Sequence, residues 1–312
     1  MGVAALFPGQ GSFVPGCTRA WLDDDADGVL RTVSDAAGID VVEAGDEEHV
    51  GRDTARAQPV ILAASLAAWH ALRRGGLEAD LVAGHSLGEY SAATAAGTLA
   101  LDGAARVVAT RGVATAAACA QRPGGMAAVI KLDAGTVEGL VARLDGVVIA
   151  NDNAPGQIVV AGDPDALAVL RDEVQALGGR AVVLDIDGAF HSPAMAPAVE
   201  SVRDALAAEL AADPTTPLVS GARVEILHGA AAVVASLVDG ILSSVRWREV
   251  QLLLERSGIT DLVEVGPGKV LAGIARRTVP SLRIHVADTP AAVREVLARL
   301  VPSVAPGPEP AA

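Results

Sequence analysis

Residues 80–89 constrain the fold of this chain more than any other segment. The apolar run Leu81–Ala83 is typical of a short strand, a helical pattern begins at Leu87, and the turn that joins them has the sequence G-x-S-x-G. Such a turn holds its serine above the carboxyl end of a strand, and its glycines are needed because a Cβ would collide with the neighbouring strand and helix. The segment therefore predicts an α/β fold in which Ser86 stands at the carboxyl edge of a sheet.

Short apolar runs alternate with longer helical patterns along most of the chain, which is typical of a parallel-sheet α/β domain. Together with the serine turn, this alternation predicts an α/β-hydrolase-like large domain. The predicted strands are Val3–Phe7, Leu81–Ala83, Asp261–Glu264 and Arg283–Val286, and the predicted helices are Ala55–Arg74, Leu87–Gly97, Leu101–Gln121, Lys269–Arg277 and Ala291–Leu300.

The middle of the chain has a different order of elements: strand, helix, strand, strand, helix, strand. This is the order of the ferredoxin-like unit, so we predict a small ferredoxin-like domain at 123–188. It would be inserted into a large domain made of 1–122 and 189–300, and the proline-rich tail 301–312 is expected to be disordered. The predicted elements are strands Gly125–Leu132, Val147–Asn151, Gln157–Gly162 and Arg180–Leu184, and helices Gly135–Leu144 and Pro164–Leu177.

Charge and composition exclude several classes of protein. The net charge of -14 argues against a broad nucleic-acid-binding face and against an anionic-membrane footprint. Cys17 and Cys119 are too few for a disulfide framework or a zinc site of the usual spacing. No window holds the ~18 uninterrupted apolar residues of a membrane span, and the first residues lack a secretory signal pattern. We expect a soluble, cytoplasmic, monomeric protein.

Metal and dinucleotide sites are not indicated by any motif. There is no H-E-x-x-H pattern. The turns 9–11 and 266–268 are fragments of a dinucleotide fingerprint, but they lack its third glycine and the acidic residue beyond it. The sequence therefore predicts no metal and no redox cofactor.

A nucleophilic serine needs a base, and the chain has 6 histidines. His85 adjoins Ser86, but successive side chains at a tight turn diverge, and His70 lies in an apolar helical pattern. His191 lies in a loop between the predicted small domain and a new helix, and a loop at such a junction is where a cleft between domains would lie. Position favours His191 as the base and leaves the other histidines open.

Arg111 can be placed by helical geometry. On an ideal helix that starts at Leu101, Arg106 points away from the apolar face, whereas Arg111 lies at the edge of that face. A buried guanidinium needs an anion, and a carboxylate is its best bidentate match. That anion would be a substrate carboxylate or, alternatively, a structural ion-pair partner.

Five short motifs occur in an order that resembles a known family. With them the chain resembles the malonyl-CoA:acyl-carrier-protein transacylases. The resemblance extends from residue 3 to about residue 298. The same motifs mark the acyltransferase domains of polyketide synthases. The motifs are Phe7-Pro-Gly-Gln-Gly-Ser12, Ala57-Gln-Pro59, Gly84-His-Ser-Leu-Gly-Glu89, Phe190-His-Ser192 and Glu264-Val-Gly-Pro-Gly-Lys269.

The resemblance implies a role for particular residues. Ser86 matches the nucleophile that becomes acylated, and His191 matches its base. The backbone N–H groups of Gln10 and Leu87 match the oxyanion hole. Arg111 matches the arginine that pairs with the free carboxylate of the malonyl group.

Three further substrate contacts are implied by the resemblance. Asn151 and Asn153 belong to a motif on the small domain that faces the cleft, and a phenylalanine at position 190 goes with a preference for malonyl over methylmalonyl groups. The chain departs from the family at Phe13 and Gly240, each of which stands where a glutamine is usual. We expect the Gly240 departure to loosen the positioning of His191, because the family uses that backbone carbonyl to hold the base.

The function that the resemblance implies is ping-pong transfer of a malonyl group from coenzyme A to the phosphopantetheine thiol of an acyl carrier protein. The alternative is a serine hydrolase, for instance a thioesterase that clears acyl groups from carriers. Because an acidic carrier would be repelled by the overall charge, docking would use local basic groups, namely those at 73–74 and at Lys269, Arg276 and Arg277. Asp185 and Asp187 are expected to be solvated residues at the end of a strand.

Overall fold

The computed structural model describes residues 2–301, which form two β-sheets with helices packed around them. The strands are β1 Gly2–Phe7, β2 Leu81–Gly84, β3 Gly125–Ile130, β4 Val147–Ala154, β5 Gln157–Gly162, β6 Arg180–Val183, β7 Leu218–Val219, β8 Ile226–Leu227, β9 Ile259–Val265 and β10 Arg283–Ala287. The α-helices are α1 Val29–Ala37, α2 Val41–Asp46, α3 Thr54–Arg74, α4 Gly88–Ala95, α5 Leu101–Gln121, α6 Ala134–Val141, α7 Pro164–Ala176, α8 Ala196–Ala207, α9 Ala230–Asp239, α10 Trp247–Arg256, α11 Val270–Thr278 and α12 Pro290–Leu300.

The larger sheet of the described residues has the strand order β10-β9-β1-β2-β7-β8. All of its strands run parallel except β8, which is antiparallel to β7. The register aligns Phe7 with Gly84 and Leu6 with Glu264, so β1, β2 and β9 end at the same edge of the sheet. The loops that follow these strands therefore meet at the carboxyl edge, where parallel sheets usually bind their ligands.

The smaller sheet is antiparallel and has the order β4-β5-β3-β6. Helices α6 and α7 pack against this sheet and enclose a separate apolar core, which includes Val129, Leu140 and Leu170. Its strand β4 is also tied to the rest of the protein, because the Asp152 N–H donates to the Val245 carbonyl at 2.9 Å.

Helices α3 and α5 pack closely against each other beside the larger sheet. Gly112 allows this approach, since a Cβ there would lie 2.9 Å from the carbonyl oxygen of Thr54 and 3.0 Å from the Cα of Ala55. Contacts that short are essentially never made by a real Cβ, so a larger residue would push the helices apart. The glycine thereby brings its neighbour Arg111 against α3.

Every helix and strand predicted from the sequence is confirmed, with ends that move by at most three residues. Two of the shifts have a clear cause. The helix after the serine begins at Gly88 and not at Leu87, because Ser86 is still in a left-handed conformation. Strand β4 runs to Ala154 and not to Asn151, because Asp152 and Ala154 still pair with β5 in spite of two irregularities in the register.

Several elements were not predicted, namely α1, α2, β7, β8, α9 and α10, and for α8 only the existence of a helix after His191 was predicted. Strands β7 and β8 have two residues each, too few for an alternating pattern. Helix α10 does carry a signal, since Trp247, Val250 and Leu254 are buried at helical spacing. Of the tail predicted to be disordered, 302–312 lie outside the described residues. Among residues 2–301, no helix is both long and apolar enough to cross a membrane.

Candidate active site

Ser86 lies on the turn between β2 and α4 with a φ of 54°, a left-handed conformation that is uncommon for serine. A Cβ on Gly84 would overlap the first backbone atoms of α4, and one on Gly88 would lie 2.6 Å from the carbonyl carbon of Phe7. The predicted steric need for both glycines is confirmed. The tight turn therefore fixes the serine hydroxyl above the carboxyl edge of the sheet.

His191 is the histidine that meets this hydroxyl. Its Nε2 lies 2.8 Å from Ser86 Oγ, and its Nδ1 lies 2.9 Å from the Gly240 carbonyl oxygen and 3.0 Å from that of Ser243. Because carbonyl oxygens only accept hydrogen bonds, Nδ1 carries the proton and Nε2 presents a lone pair to the serine. The arrangement can take a proton from Ser86.

The environment of His191 keeps the imidazole neutral. Burial, the positive charge of Arg111 and the neighbouring His85 lower the pKa of His191 to about 3, and the two backbone carbonyls oppose this shift only in part. A base must be unprotonated to act, and this imidazole is so throughout the physiological range.

Gly240 provides the carbonyl that a glutamine usually supplies in the family, and Ser243 adds a second one. Both contacts are at ordinary hydrogen-bond length. The departure to glycine at 240 therefore leaves the carbonyl in contact with Nδ1.

Gln10 and Leu87 line the space beside Ser86. Gln10 begins the short 3₁₀ helix Gln10–Ser12 after β1, and Leu87 directly precedes α4. Among the hydrogen bonds of residues 2–301, neither N–H has an acceptor. The Gln10 side chain is fixed at both ends, because its Nε2 donates to the Gly51 carbonyl at 2.9 Å and its Oε1 accepts from Thr54 Oγ1 at 2.8 Å. These amides can stabilise a developing oxyanion.

Arg111 is 4% exposed and points toward the serine. Its Nη2 lies 3.4 Å from Ser86 Oγ, and its guanidinium carbon lies 5.3 Å from the centre of the Tyr90 ring. Its Nε has no hydrogen-bond acceptor, and no carboxylate of the described residues forms a salt bridge with it. The predicted buried position is confirmed, whereas Arg106 is half-exposed and pairs with Asp102 and Glu209.

Gln58 holds the guanidinium in place. Arg111 Nη1 donates to Gln58 Oε1 at 2.6 Å, and Gln58 Nε2 in turn donates to Thr54 Oγ1 at 2.9 Å. A fully buried glutamine in the apolar helix α3 was the sequence signal for this contact, because it needs polar partners. The arginine is therefore oriented but not neutralised.

The two asparagines of the small sheet line the same space as Ser86. Asn153 Oδ1 lies 2.8 Å from His85 Nε2, and the His85 ring packs edge-on against Trp247. Burial is the main cause that lowers the pKa of His85. Asn151 is 5% exposed and has its backbone bridged to Val245. His85 thus contacts the asparagine and not the serine.

A cleft of about 510 Å³ opens above the serine between the two sheets. Apolar side chains make up much of its wall, and Phe190, directly before the base, is 9% exposed within it. Phe13 also lines the cleft and packs against Gly51. The lining includes Gln10, Phe13, Ser86, Leu87, Arg111, Met126, Ala128, Asn151, Asn153, Val159, Phe190, His191, Leu271 and Ile274.

Asp185 and Asp187 are exposed, as expected. Asp185 pairs with Arg52 across the rim of the cleft, with 2.7 Å from Arg52 Nε to the carboxylate. Neither residue is a partner of His191, whose Nδ1 is already bonded to two carbonyls.

The basic groups of the sequence differ in their pairing. Arg74 pairs with Asp27, and Arg73 lies over the Trp69 ring. In the second group Lys269 pairs with Asp288 at 3.6 Å. Arg277 bonds to Gln157, which lines the cleft. Among residues 2–301, neither Arg276 nor Arg277 forms a salt bridge with a carboxylate.

Within residues 2–301, no group of three or more histidine, cysteine or acidic side chains could hold a metal ion. The arrangement around Ser86 is instead that of nucleophilic catalysis: a serine, a neutral base, two free amides and a fixed cation.

Known proteins resemble this chain over nearly its whole length. The acyl transferase domain family matches residues 6–306. A malonyl CoA-acyl carrier protein transacylase of Mycobacterium tuberculosis is 38% identical over 300 residues, which are 94% of this chain and 99% of the relative. The Bacillus subtilis protein of the same name is 34% identical over 303 residues, 92% of this chain and 93% of the relative.

Solved structures agree with these relatives. An acyl-carrier-protein-S-malonyltransferase from Bartonella henselae has a TM-score of 0.92 at 35% identity, covering 96% of this chain and 99% of its own. A malonyl-transacylase solved in complex with its type II PKS acyl-carrier protein has a TM-score of 0.90 at 32% identity, covering 96% of this chain and 100% of its own.

Proposed function

We propose a malonyl-transfer reaction for this chain, which belongs to the acyl transferase domain family together with the malonyl CoA-acyl carrier protein transacylases. The donor is malonyl-CoA and the acceptor is the phosphopantetheine thiol of an acyl carrier protein. The reaction passes through a malonyl ester on the protein, so it follows ping-pong kinetics.

The first half-reaction acylates Ser86. His191 Nε2 removes the hydroxyl proton as Oγ attacks the thioester carbonyl, and the amides of Gln10 and Leu87 receive the negative charge of the tetrahedral intermediate. The C–S bond then breaks, and the imidazolium returns its proton to the coenzyme A thiolate. Arg111 holds the malonyl carboxylate and so fixes the acyl group in one orientation.

The second half-reaction reverses these steps with a different thiol. His191 takes the proton of the carrier thiol, the sulfur attacks the malonyl ester, and the ester bond to Ser86 breaks. The proton returns to the serine, and the malonyl group leaves as a new thioester.

One observation carries the choice of a malonyl group: a buried guanidinium that has no carboxylate partner among residues 2–301 lies 3.4 Å from the nucleophilic oxygen. The alternative, a thioesterase that clears uncharged acyl chains, has no use for this charge. A buried unpaired cation is costly, and a substrate carboxylate offsets that cost.

The test is intact-mass spectrometry of the protein after incubation with malonyl-CoA, followed by addition of a carrier protein bearing phosphopantetheine. We expect a stable malonyl adduct that disappears when the carrier is added, with malonyl appearing on the carrier. Steady release of coenzyme A without adduct or carrier product would support the thioesterase instead.

We also propose finer assignments of fold and partners. The order β-α-β-β-α-β of the small sheet supports a ferredoxin-like domain, and the parallel sheet with its serine turn supports an α/β-hydrolase-like large domain. The boundaries at 1–122, 123–188 and 189–300 stay predictions. So do the cytoplasmic location, the monomeric state and the lack of a cofactor, nucleic-acid partner or membrane partner.

Phe190 is proposed to select malonyl over methylmalonyl groups. With Ser86 and Arg111 holding the two ends of the acyl group, the ring beside the base leaves little room for a branch on the carbon between them. A single methyl group in an apolar pocket is worth about 1–3 kcal/mol, so we expect roughly 10- to 200-fold discrimination. Phe190→Ser should narrow the ratio of the two kcat/KM values, mainly by admitting methylmalonyl.

Competition of the two coenzyme A esters for one carrier protein measures this ratio. Phe190→Leu serves as a graded control, because its intermediate volume should give an intermediate ratio. A wild-type protein that takes both esters equally, or a serine variant with the wild-type ratio, would remove Phe190 from the selectivity argument.

A further inference from the structure

Glu89 is a buried carboxylate beside the nucleophile that the proposed mechanism does not use. It is 5% exposed, and both of its oxygens accept hydrogen bonds: Oε1 from Ser236 Oγ at 2.6 Å and Oε2 from the Gly221 N–H at 3.3 Å. Burial raises the pKa of Glu89 to about 7, even though these two donors and the charge of Arg111 oppose the rise. Two donors facing one carboxyl group favour its ionised form.

The first donor, Ser236, lies on α9, the helix that directly precedes one of the carbonyls that hold His191. Ser236 is in the last turn of α9, which ends at Asp239, and the next carbonyl, that of Gly240, accepts the hydrogen bond of His191 Nδ1. Tyr90 strengthens the same attachment, because its hydroxyl donates to the Leu237 carbonyl at 2.9 Å. The first turn of the serine helix is therefore fastened to the end of α9.

The second donor lies on the loop that closes the other end of this segment. The Gly221 carbonyl accepts from the Arg246 N–H at 2.9 Å, and the Val245 N–H donates to the Ala150 carbonyl at 2.9 Å. Segment 240–246 provides both carbonyls that hold His191. It begins just after the helix of Ser236 and ends at Arg246, the partner of the Gly221 carbonyl. Glu89 bonds directly to Ser236 and reaches Arg246 only through Gly221.

We propose that Glu89 is a positioning residue for acyl transfer, which through Ser236 and Gly221 sets the two carbonyls that hold His191 against Ser86. The proposal rests on the proposed function, since it concerns the same serine and histidine. A displacement of about 1 Å between reacting groups can cost roughly 100-fold in rate, so loosening this attachment should slow acylation.

A second route from Glu89 to the reaction has to be separated from this one. Glu89 and Arg111 line the same small cavity behind Ser86, so the carboxylate could act through the arginine. The two routes differ in their substrate dependence. Positioning of His191 affects every reaction of Ser86. At neutral pH, where His191 is unprotonated with or without the charge of Arg111, the arginine acts chiefly on substrates that carry a carboxylate.

The experiment compares two reactions of Ser86, one acylation and one sulfonylation, in Ser236→Ala, Glu89→Gln and a control, Thr94→Val. Thr94 lies on the same helix, but its hydroxyl bonds within α4. One reaction is malonylation under single-turnover conditions. The other is sulfonylation by phenylmethanesulfonyl fluoride, in which Ser86 Oγ bonds to sulfur, fluoride leaves and the serine proton passes to His191.

We expect both rates to fall by about 10- to 100-fold in Ser236→Ala and Glu89→Gln, with the KM for malonyl-CoA within twofold of wild type and Thr94→Val unchanged. Wild-type sulfonylation together with a raised malonyl-CoA KM would overturn the proposal in favour of the arginine route. Wild-type rates in both reactions would overturn it as well. If Glu89→Gln does not fold, Ser236→Ala decides alone, because it keeps the carboxylate.

The failure of this inference is distinct from the failure of the proposed function. A wild-type protein that is sulfonylated at Ser86 but forms no malonyl adduct contradicts the proposed function. A wild-type protein that forms the adduct, with variants that form it equally fast, contradicts only the role of Glu89.

Discussion

Replacing Ser86 by alanine abolishes the malonyl adduct and lowers malonyl transfer by about 10⁴- to 10⁶-fold, the usual loss when a serine nucleophile is removed. The reason is that alanine has no hydroxyl group to accept the malonyl group, although the oxyanion amides and Arg111 remain in place. The fold should survive, because alanine has the same Cβ as serine and so meets the same steric limits at a φ of 54°. Intact-mass spectrometry measures the adduct, and circular dichroism checks the fold.

Cys119→Ala is the matched control for the adduct. Both thiols are poor alternatives to the serine: burial raises the pKa of Cys17 to about 11, and burial together with Asp187 raises that of Cys119. Cys119→Ala should therefore form the adduct at the wild-type rate. An adduct that persists in Ser86→Ala and maps to either cysteine would refute the serine mechanism.

Replacing Arg111 by alanine lowers malonyl transfer by roughly 10²- to 10⁴-fold, because a bidentate pair loses two charge-assisted hydrogen bonds of about 1.5–3 kcal/mol each. Acetyl transfer should be equal or better, since the acetyl group has no carboxylate and the cavity no longer holds an unpaired cation. The measurement is kcat/KM for malonyl-CoA and acetyl-CoA with one carrier protein. Equal losses for both esters would make the arginine structural.

Arg106→Ala is the matched control, since Arg106 lies on the same helix but points to the surface and pairs with Glu209. It should leave both rates close to wild type. A second readout is the pH profile. The charge of Arg111 lowers the pKa of His191, so its removal raises that pKa and moves the acid limb of kcat/KM to higher pH.

Much of the fold could be predicted because its signals are local. The strand before Ser86 and the two glycines around it follow from steric limits within a few residues, and α5 follows from its helical periodicity. Elements without a local signal were missed: β7 has two residues, and α9 is a short Ala- and Val-rich segment. Position along the chain favoured His191 but left the other histidines open, and the resemblance then indicated His191 as the base. Sequence position could not show that folding brings His191 against Ser86, because the two are 105 residues apart along the chain.

The sequence by itself determined which groups are available: a serine on a forced turn, a histidine in a loop, and an arginine on the buried edge of a helix. Only the tertiary structure decided how these groups are used. It showed that Arg111 has no carboxylate partner among residues 2–301, and that two backbone carbonyls, not Asp185 or Asp187, hold His191. It also brought Glu89 to Ser236, 147 residues away. The physical reason is that charge pairing and hydrogen-bond partners depend on distance in space, whereas turn sterics and helical periodicity depend on neighbours along the chain.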